Sequence, residues 1–281
     1  MQIIREIDSL RQEVARIRTG GGSIALVPTM GALHAGHMAL VAEARRHASH
    51  VAASIFVNPT QFGPNEDFSR YPRQEKADAA MLEAAGCALL WAPSVGTMYP
   101  EGHATRIRVD GISEVLEGAH RPGHFDGVAT VVAKLFAQVQ PDIALFGEKD
   151  FQQLAVIRKM ARDLDLPVTI LGVATQRDAD GVALSSRNAY LSDEERLAAR
   201  ALPRALLEAC RSMREGAAVA DVLEQARAQL TAAGFGPIDY VALADAETLR
   251  PAFDLSRPRR LLAAAKLGRT RLIDNVAVDP L

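Results

Sequence analysis

The chain has 281 residues, nearly half of them hydrophobic and under a quarter charged, with a formal net charge of -2 and a mean hydropathy close to zero. This balance argues against a disordered or collagen-like chain and against a surface built on counterion release from nucleic acid. Cys87 and Cys210 lack CxxC or zinc-finger spacing, which points away from a disulfide framework or a structural zinc and toward a reducing compartment.

At this length two unequal domains, or one large α/β domain, are expected. The opening MQIIREIDSLRQEV mixes charged and apolar residues at helical spacing, so it reads as a first helix and not as a secretory signal. No run approaches the roughly 18 apolar residues of a membrane span. After Gly20 to Gly22, residues 23–28 (SIALVP) predict a strand buried on both faces, residues 38–48 a helix and residues 50–57 a second strand, together a βαβ unit.

The alternation continues with a helix over 74–85, a strand over 87–91, a helix over 126–138, a strand over 143–146, a helix over 151–164 and a strand over 168–173. The expected fold class is α/β, a Rossmann-like doubly wound parallel sheet that binds ligands beyond the carboxyl ends of its strands. At Gln176 the texture changes, and a boundary there divides residues 1–176 from a smaller α+β unit, 177–281. In that unit helical stretches cover 193–214 and 220–232, the first preceded by the capping-box pair Ser192 and Glu195. Strand-like runs follow at 238–244, 259–268 and 271–278, the last two forming a hairpin near Gly268.

The residues that carry chemistry gather at strand ends. PTMGALHAGH (28–37) joins the first buried strand to its helix, where such folds present backbone N–H groups to phosphate. His34 and His37 lie three apart, so their imidazoles reach the same side once the helix begins, and Gly31 and Gly36 allow close backbone approach. Alone, the pair is equally a polar helix start or part of a metal site, although no His or Cys with ligand spacing follows.

FVNPTQFGPNEDFSRYPR (56–73) leaves the next strand on the same sheet edge, and its Asn58 and Gln61 offer neutral amides that orient a small polar substrate. In FGEKDFQQL (146–154), Lys149 is a candidate phosphate-binding cation, Asp150 a nucleotide acceptor or N-cap, and Gln153 a second substrate amide. In LSSRN (184–188), Ser185, Ser186 and Arg187 form a candidate triphosphate clamp, because a guanidinium takes oxygen pairs. Taken singly, each of these three segments reads as well as a turn or a helix cap.

In this order, and with LEGAHRPGHFDGV (116–128), the motifs closely resemble the pantothenate synthetase, or pantoate–β-alanine ligase, family over nearly the whole chain, least diagnostically beyond Leu191. The resemblance implies ATP-dependent condensation of (R)-pantoate with β-alanine through a pantoyl adenylate, releasing AMP and diphosphate, in pantothenate and coenzyme A biosynthesis. It also implies a fold of the HxGH nucleotidyltransferase type with a C-terminal lid, a requirement for ATP and Mg²⁺, a cytoplasmic location and a homodimer. Its partners would be small-molecule substrates, with no nucleic acid and no membrane.

Residue by residue, the resemblance assigns ATP to Met30, Gly31, Ala32, Leu33, His34, Ala35, Gly36 and His37 and to Gly147, Glu148, Lys149 and Asp150. Gln176, Leu184, Ser185, Ser186 and Arg187 complete that set. Catalysis falls to His34, His37, Lys149, Ser185, Ser186 and Arg187, with His37 the acid that assists at the phosphate. Pantoate falls to Asn58, Gln61 and Gln153, and β-alanine to Gln61. Of the acidic residues after YPR, Asp78 is the one placed to hold Mg²⁺, the ion otherwise resting on ATP phosphates and water. Glu117, His120, Arg121 and His124 match a flexible active-site wall without individual roles.

These residue types suit the chemistry. A carboxylate is a poor acyl donor until its oxygen becomes part of a good leaving group, which adenylation supplies. Attack on the α-phosphorus needs fixed donors around the phosphates, and no enzyme nucleophile. Three other readings stay open: a nucleotidylyltransferase acting on a phosphorylated acceptor, disfavoured by the paired amides; a class I aminoacyl-tRNA synthetase, disfavoured by the short chain without a basic RNA-binding region; and a nucleotide sensor without turnover.

Overall fold

The computed structural model describes residues 1–64 and 66–280; Asn65, within the 56–73 segment, and Leu281 lie outside them. The chain begins β1 (Gln2–Ile4), α1 (Ile7–Thr19), β2 (Ile24–Thr29), α2 (Ala35–His47), β3 (His50–Ile55), α3 (Glu75–Ala84) and β4 (Leu89–Trp91). It continues with α4 (Val95–Met98), α5 (Glu117–His120), α6 (His124–Val139), β5 (Ile143–Gly147), α7 (Phe151–Asp163) and β6 (Thr169–Val173). Then come α8 (Asp193–Ala198), α9 (Ala201–Arg214), α10 (Val219–Ala232), β7 (Phe235–Asp245), β8 (Arg259–Leu267) and β9 (Thr270–Val278).

The first six strands form one parallel sheet in the order β1-β4-β3-β2-β5-β6, which is the doubly wound α/β arrangement expected. Its strands alternate between two apolar layers. Ile24 and Leu26 face the core shared with α1, α6 and α7, while Ala25 and Val27 face α2 and α3, as a period of two requires of a strand covered on both sides. The chain winds outward from β2 through β3 to β4, then returns to lay β5 on the other side of β2. The switch point therefore lies between β2 and β5, and the crevice beyond their carboxyl ends is where this topology binds ligands.

Strands β7, β8 and β9 form a separate antiparallel sheet, and β8 and β9 make the expected hairpin around Gly268 (φ 55°). Tyr240, Leu262 and Ala264 on one face join the core beneath α6 and α7, while Val241, Leu261 and Ala263 on the other pack with α9 and α10. Polar ties reinforce the seam. Glu117 accepts from Tyr240 Oη and from both terminal nitrogens of Arg271, each at 2.7 Å. Asn275 Nδ2 donates to the carbonyls of Glu148 (3.0 Å) and Lys149 (2.8 Å).

Two local expectations change. Gln2–Ile4 is a strand, not the start of the first helix, because it pairs in parallel with β4 as the sheet edge and buries Ile4; three residues are too few to show a period. The helical stretch 193–214 is two helices, α8 and α9, since Pro203 has no N–H to return to the preceding turn. The Ser192–Glu195 capping box is present, with bonds of 3.2 and 2.9 Å.

Candidate active site

The turn after β2 is strained and anchored from below. Gly31 (φ 84°) and Ala32 (φ 51°) are both left-handed, a conformation that costs a residue with a Cβ roughly 1–2 kcal/mol. The fully buried carboxylate of Asp78 holds it, Oδ2 accepting the N–H of Ala32 and Oδ1 that of Leu33, each at 2.9 Å. A Cβ on Gly31 would lie 3.0 Å from Oδ2. The metal role expected for Asp78 does not fit: both oxygens are committed to backbone donors, away from the cavity. Among the described residues no group of three or more His, Cys, Asp or Glu could hold a metal ion.

That anchored turn delivers two histidines. His34 caps α2, its Nδ1 accepting the N–H of Gly36 at 3.1 Å, and His37 Nδ1 accepts the N–H of His34 at 3.3 Å. With both Nδ1 atoms occupied as acceptors, the neutral rings carry their protons on Nε2. Burial lowers His34, helped by Lys149, and burial followed by the neighbouring His34 pushes His37 down to about 3. Both are neutral donors at physiological pH.

A cavity of about 230 Å³ opens beyond β2 and β5. Met30, His34, Gly36 and His37 line one side, with Gly147, Lys149 and Asp150 opposite. Gln176, Leu184, Ser185, Ser186 and Arg187 close a third side, and Gln61 and Gln153 the far end. An outer hollow of about 1230 Å³ shares Gln61, Lys149, Asp150, Gln153, Ser185 and Arg187 with it. Five of the residues expected to bind ATP do not line the inner cavity: Gly31, Ala32 and Leu33 are buried behind it, Ala35 faces solvent, and the Glu148 carboxylate turns to Arg260 at 3.1 Å.

At the glutamine end, Asn58 is a brace and not a lining residue. Only 1% exposed, its Oδ1 accepts from Thr60 and from Tyr99 Oη (2.9 Å), while Nδ2 donates to Gln61 Oε1 and to the Gly127 carbonyl, both at 3.1 Å. The carbonyl of Gln61 accepts His124 Nδ1–H at 2.7 Å, and Arg121 Nη1 donates to His124 Nε2 at 3.1 Å. Burial and then Arg121 push His124 down to about 4, so it too is neutral. Beneath the amides, Val128, Val131, Val132 and Leu135 of α6 give the cavity an apolar wall.

At the opposite end, Ser185 Oγ accepts the N–H of Arg187 at 3.3 Å, and Ser186 Oγ lies 3.3 Å from Tyr71 Oη. Arg187 forms a two-bond pair with Asp67; burial works against its charge, and the Asp67 carboxylate more than offsets that. Lys149 is held by its backbone, through Asn275, and among the described residues no carboxylate pairs with its ammonium.

The sequence profile described as pantoate–β-alanine ligase matches residues 2–277 of this chain. The chain belongs to that family. It is 65% identical to a pantothenate synthetase from Rhizorhabdus wittichii, over all of this chain and 99% of that one, and 62% identical to another from Sphingopyxis alaskensis, over 99% and 100%. The crystal structure of pantothenate synthetase from Thermus thermophilus superposes with a TM-score of 0.95 at 50% identity, covering both chains completely. The pantoate–β-alanine ligase of Francisella tularensis, complexed with "Beta-gamma ATP" and β-alanine, superposes with a TM-score of 0.81 at 33% identity over 98% of this chain and 97% of that one.

Several features of this ligase-family site escape the sequence reading. Gln152 and Gln153 are adjacent, but Gln152 is buried and spans Glu117 N–H, Ile112 O and Val115 O at 2.8–2.9 Å, leaving Gln153 to face the cavity. The helical spacing of α7 carries that distinction once its buried face is known. Of the unassigned wall residues, Arg121 and His124 support Gln61, Glu117 joins the seam with β9, and His120 sits 3.9 Å from Asp239. Glu66 and Asp67 gave no local signal, since their partners lie far along the chain.

Proposed function

We propose that the chain condenses (R)-pantoate with β-alanine at the expense of ATP, forming a pantoyl adenylate and diphosphate and then pantothenate and AMP. The observation that carries this reading is a single cavity running from His34, His37, Lys149 and Arg187 to Gln61 and Gln153 over the apolar wall of α6. Pantoate has a carboxylate, two hydroxyls and a dimethyl carbon. Two amides above an apolar wall complement both halves of such a molecule.

In this reading a pantoate carboxylate oxygen attacks the α-phosphorus, the bond to the β-phosphate breaks, and diphosphate leaves. Lys149 and Arg187 supply fixed positive charge, Ser185 and Ser186 single hydrogen bonds, and His34 and His37 their Nε2–H donors. His37 thus serves as a neutral donor in place of the acid expected, since burial holds it far below neutral pH. The β-alanine amine then attacks the acyl carbon, and AMP departs with the oxygen that came from pantoate. Gln61, held from three directions, orients the carboxylate for both steps.

Mg²⁺ would enter on the ATP phosphates with water completing its shell, and no protein ligand is assigned to it. We place the division between nucleotide-binding and lid units at residues 176 and 177. Lid strand β9, through Asn275, braces the Lys149 turn. The family resemblance supports a cytoplasmic homodimer that acts on small molecules alone. No helix among the described residues is long and apolar enough to cross a membrane.

Incubation with ATP, Mg²⁺ and pantoate is expected to release diphosphate, and β-alanine added afterwards to yield AMP and pantothenate in equal amounts. ATP binding with neither product, or turnover only with a phosphorylated acceptor, would overturn the reading.

A further inference from the structure

The loop between Gln61 and α3 places two consecutive carboxylates on two arginines that both line the cavity. Glu66 accepts from Arg121 Nε at 2.7 Å and Nη2 at 2.6 Å. Asp67 accepts from Arg187 Nε at 3.1 Å and Nη2 at 3.0 Å. Both pairs are bidentate, the geometry that fixes the plane of a guanidinium as well as its position. They are also largely shielded, with side-chain exposures of 17% and 27% in the first pair and 31% and 14% in the second.

The described residues on either side of the two carboxylates pack on one another. Phe62 meets Phe68 and Tyr71 edge-on at 5.3 and 6.0 Å, and Arg73 lies over Phe68 at 5.2 Å. These contacts tie Phe62, before the two carboxylates, to Phe68 and Tyr71 after them.

The two arms have different endpoints. From Glu66 the chain of contacts runs through Arg121 to His124 and on to the carbonyl of Gln61. From Asp67 it runs to Arg187 alone, whose Nη1 has no protein acceptor among the described residues and which lines both cavities.

A carboxylate beside a triphosphate site opposes the incoming charge, so attraction does not explain Asp67. Orientation does: a long, freely rotating arginine must be fixed in advance if it is to meet phosphate oxygens without further ordering. We propose that Glu66 and Asp67 are positioning residues with divided duties, Asp67 presenting the free edge of Arg187 to the ATP phosphates and Glu66 setting Gln61 for the acid through Arg121 and His124. This rests on the ligase reading above.

The test compares Asp67→Ala with Glu66→Ala in the full-length chain, with Asp67→Asn and Glu66→Gln as shape-preserving variants should the alanine forms fold poorly. Asp67→Ala is expected to raise the KM for ATP and slow diphosphate release by roughly tenfold to a hundredfold, leaving the KM for pantoate within about twofold of its original value. Glu66→Ala is expected to do the reverse, raising the KM for pantoate and sparing that for ATP. In an Arg187→Ala background, removing Asp67 should cost little more.

A purely structural loop would move both constants together in both variants, and that result overturns the proposal. So does tighter ATP binding by Asp67→Ala, which would make Asp67 a competitor for Arg187. If the unaltered chain releases no diphosphate with pantoate, the proposed function fails instead, before any variant is compared.

Discussion

His37 accepts the backbone N–H of His34 through Nδ1 at 3.3 Å, and the ring centroids of the two residues lie 4.1 Å apart. The pair caps its own helix, fixes its own tautomers and presents two Nε2–H groups to the cavity. Because burial and then Lys149 disfavour a charge on His34, and burial and then His34 disfavour one on His37, the site keeps donors that stay neutral.

This neutrality has a measurable cost in acid. The unfolded chain protonates His37 near its ordinary value of 6.5, whereas the folded chain resists until about 3. The stability is therefore complete above pH 6.5 and is lost as pH falls through that window, by about 1.4 kcal/mol per pH unit for each such group. His124, held to about 4, acts in the same direction. Denaturant midpoints should fall below pH 6.5, and His37→Gln or His124→Gln should show a shallower fall. An unchanged slope in both variants would contradict the assignment.

Asp78→Asn separates the anchoring role from the metal role. The amide sets an NH₂ group against one of two backbone N–H donors, an exchange expected to cost about 1–3 kcal/mol and to raise the KM for ATP. Excess Mg²⁺ should not rescue it. A displaced Mg²⁺ dependence that high Mg²⁺ restores would return Asp78 to the metal.

The helix α6 approaches the Asn58–Gln61 turn at Gly127, where an added Cβ would lie 2.5 Å from the carbonyl oxygen of Thr60 and 2.8 Å from the backbone nitrogen of Gln61. Both are backbone atoms with little room to yield. Gly127→Ala should lose about 1–3 kcal/mol of stability and lower kcat/KM for pantoate, with nucleotide affinity little changed. Unaltered pantoate kinetics would show that Gln61 tolerates the displacement.

The sequence made much of this architecture legible, and the losses have physical causes. Buried strands such as SIALVP announce themselves because both faces are apolar, and PTMGALHAGH could be read as a strand-to-helix connection. The edge strand Gln2–Ile4 could not, since three residues carry no period. Side-chain direction was the harder loss. Asn58 and Asp78 have the composition of ligand-binding residues, yet each spends its hydrogen bonds on backbone or neighbouring side chains. Which way a polar side chain points depends on elements packed from elsewhere in the chain.

Adjacent glutamines test that point. Gln152→Ala strips three hydrogen bonds, two of them buried, from the Ile112–Glu117 turn and should destabilise the fold by about 2 kcal/mol or more. Gln153→Ala should leave the unfolding midpoint nearly unchanged while raising the KM for pantoate by roughly tenfold. The opposite pattern, stability lost at Gln153 and affinity at Gln152, would refute the division between them.

In the proposed reaction the acid oxygen attacks the α-phosphorus of ATP in the cavity between β2 and β5. Pantoate labelled with ¹⁸O in its carboxylate, turned over with ATP and β-alanine and read by mass spectrometry of the nucleotide product, tests it directly. One labelled oxygen in the phosphate of each AMP is the predicted result; unlabelled AMP, or ADP with the label in orthophosphate, would contradict it.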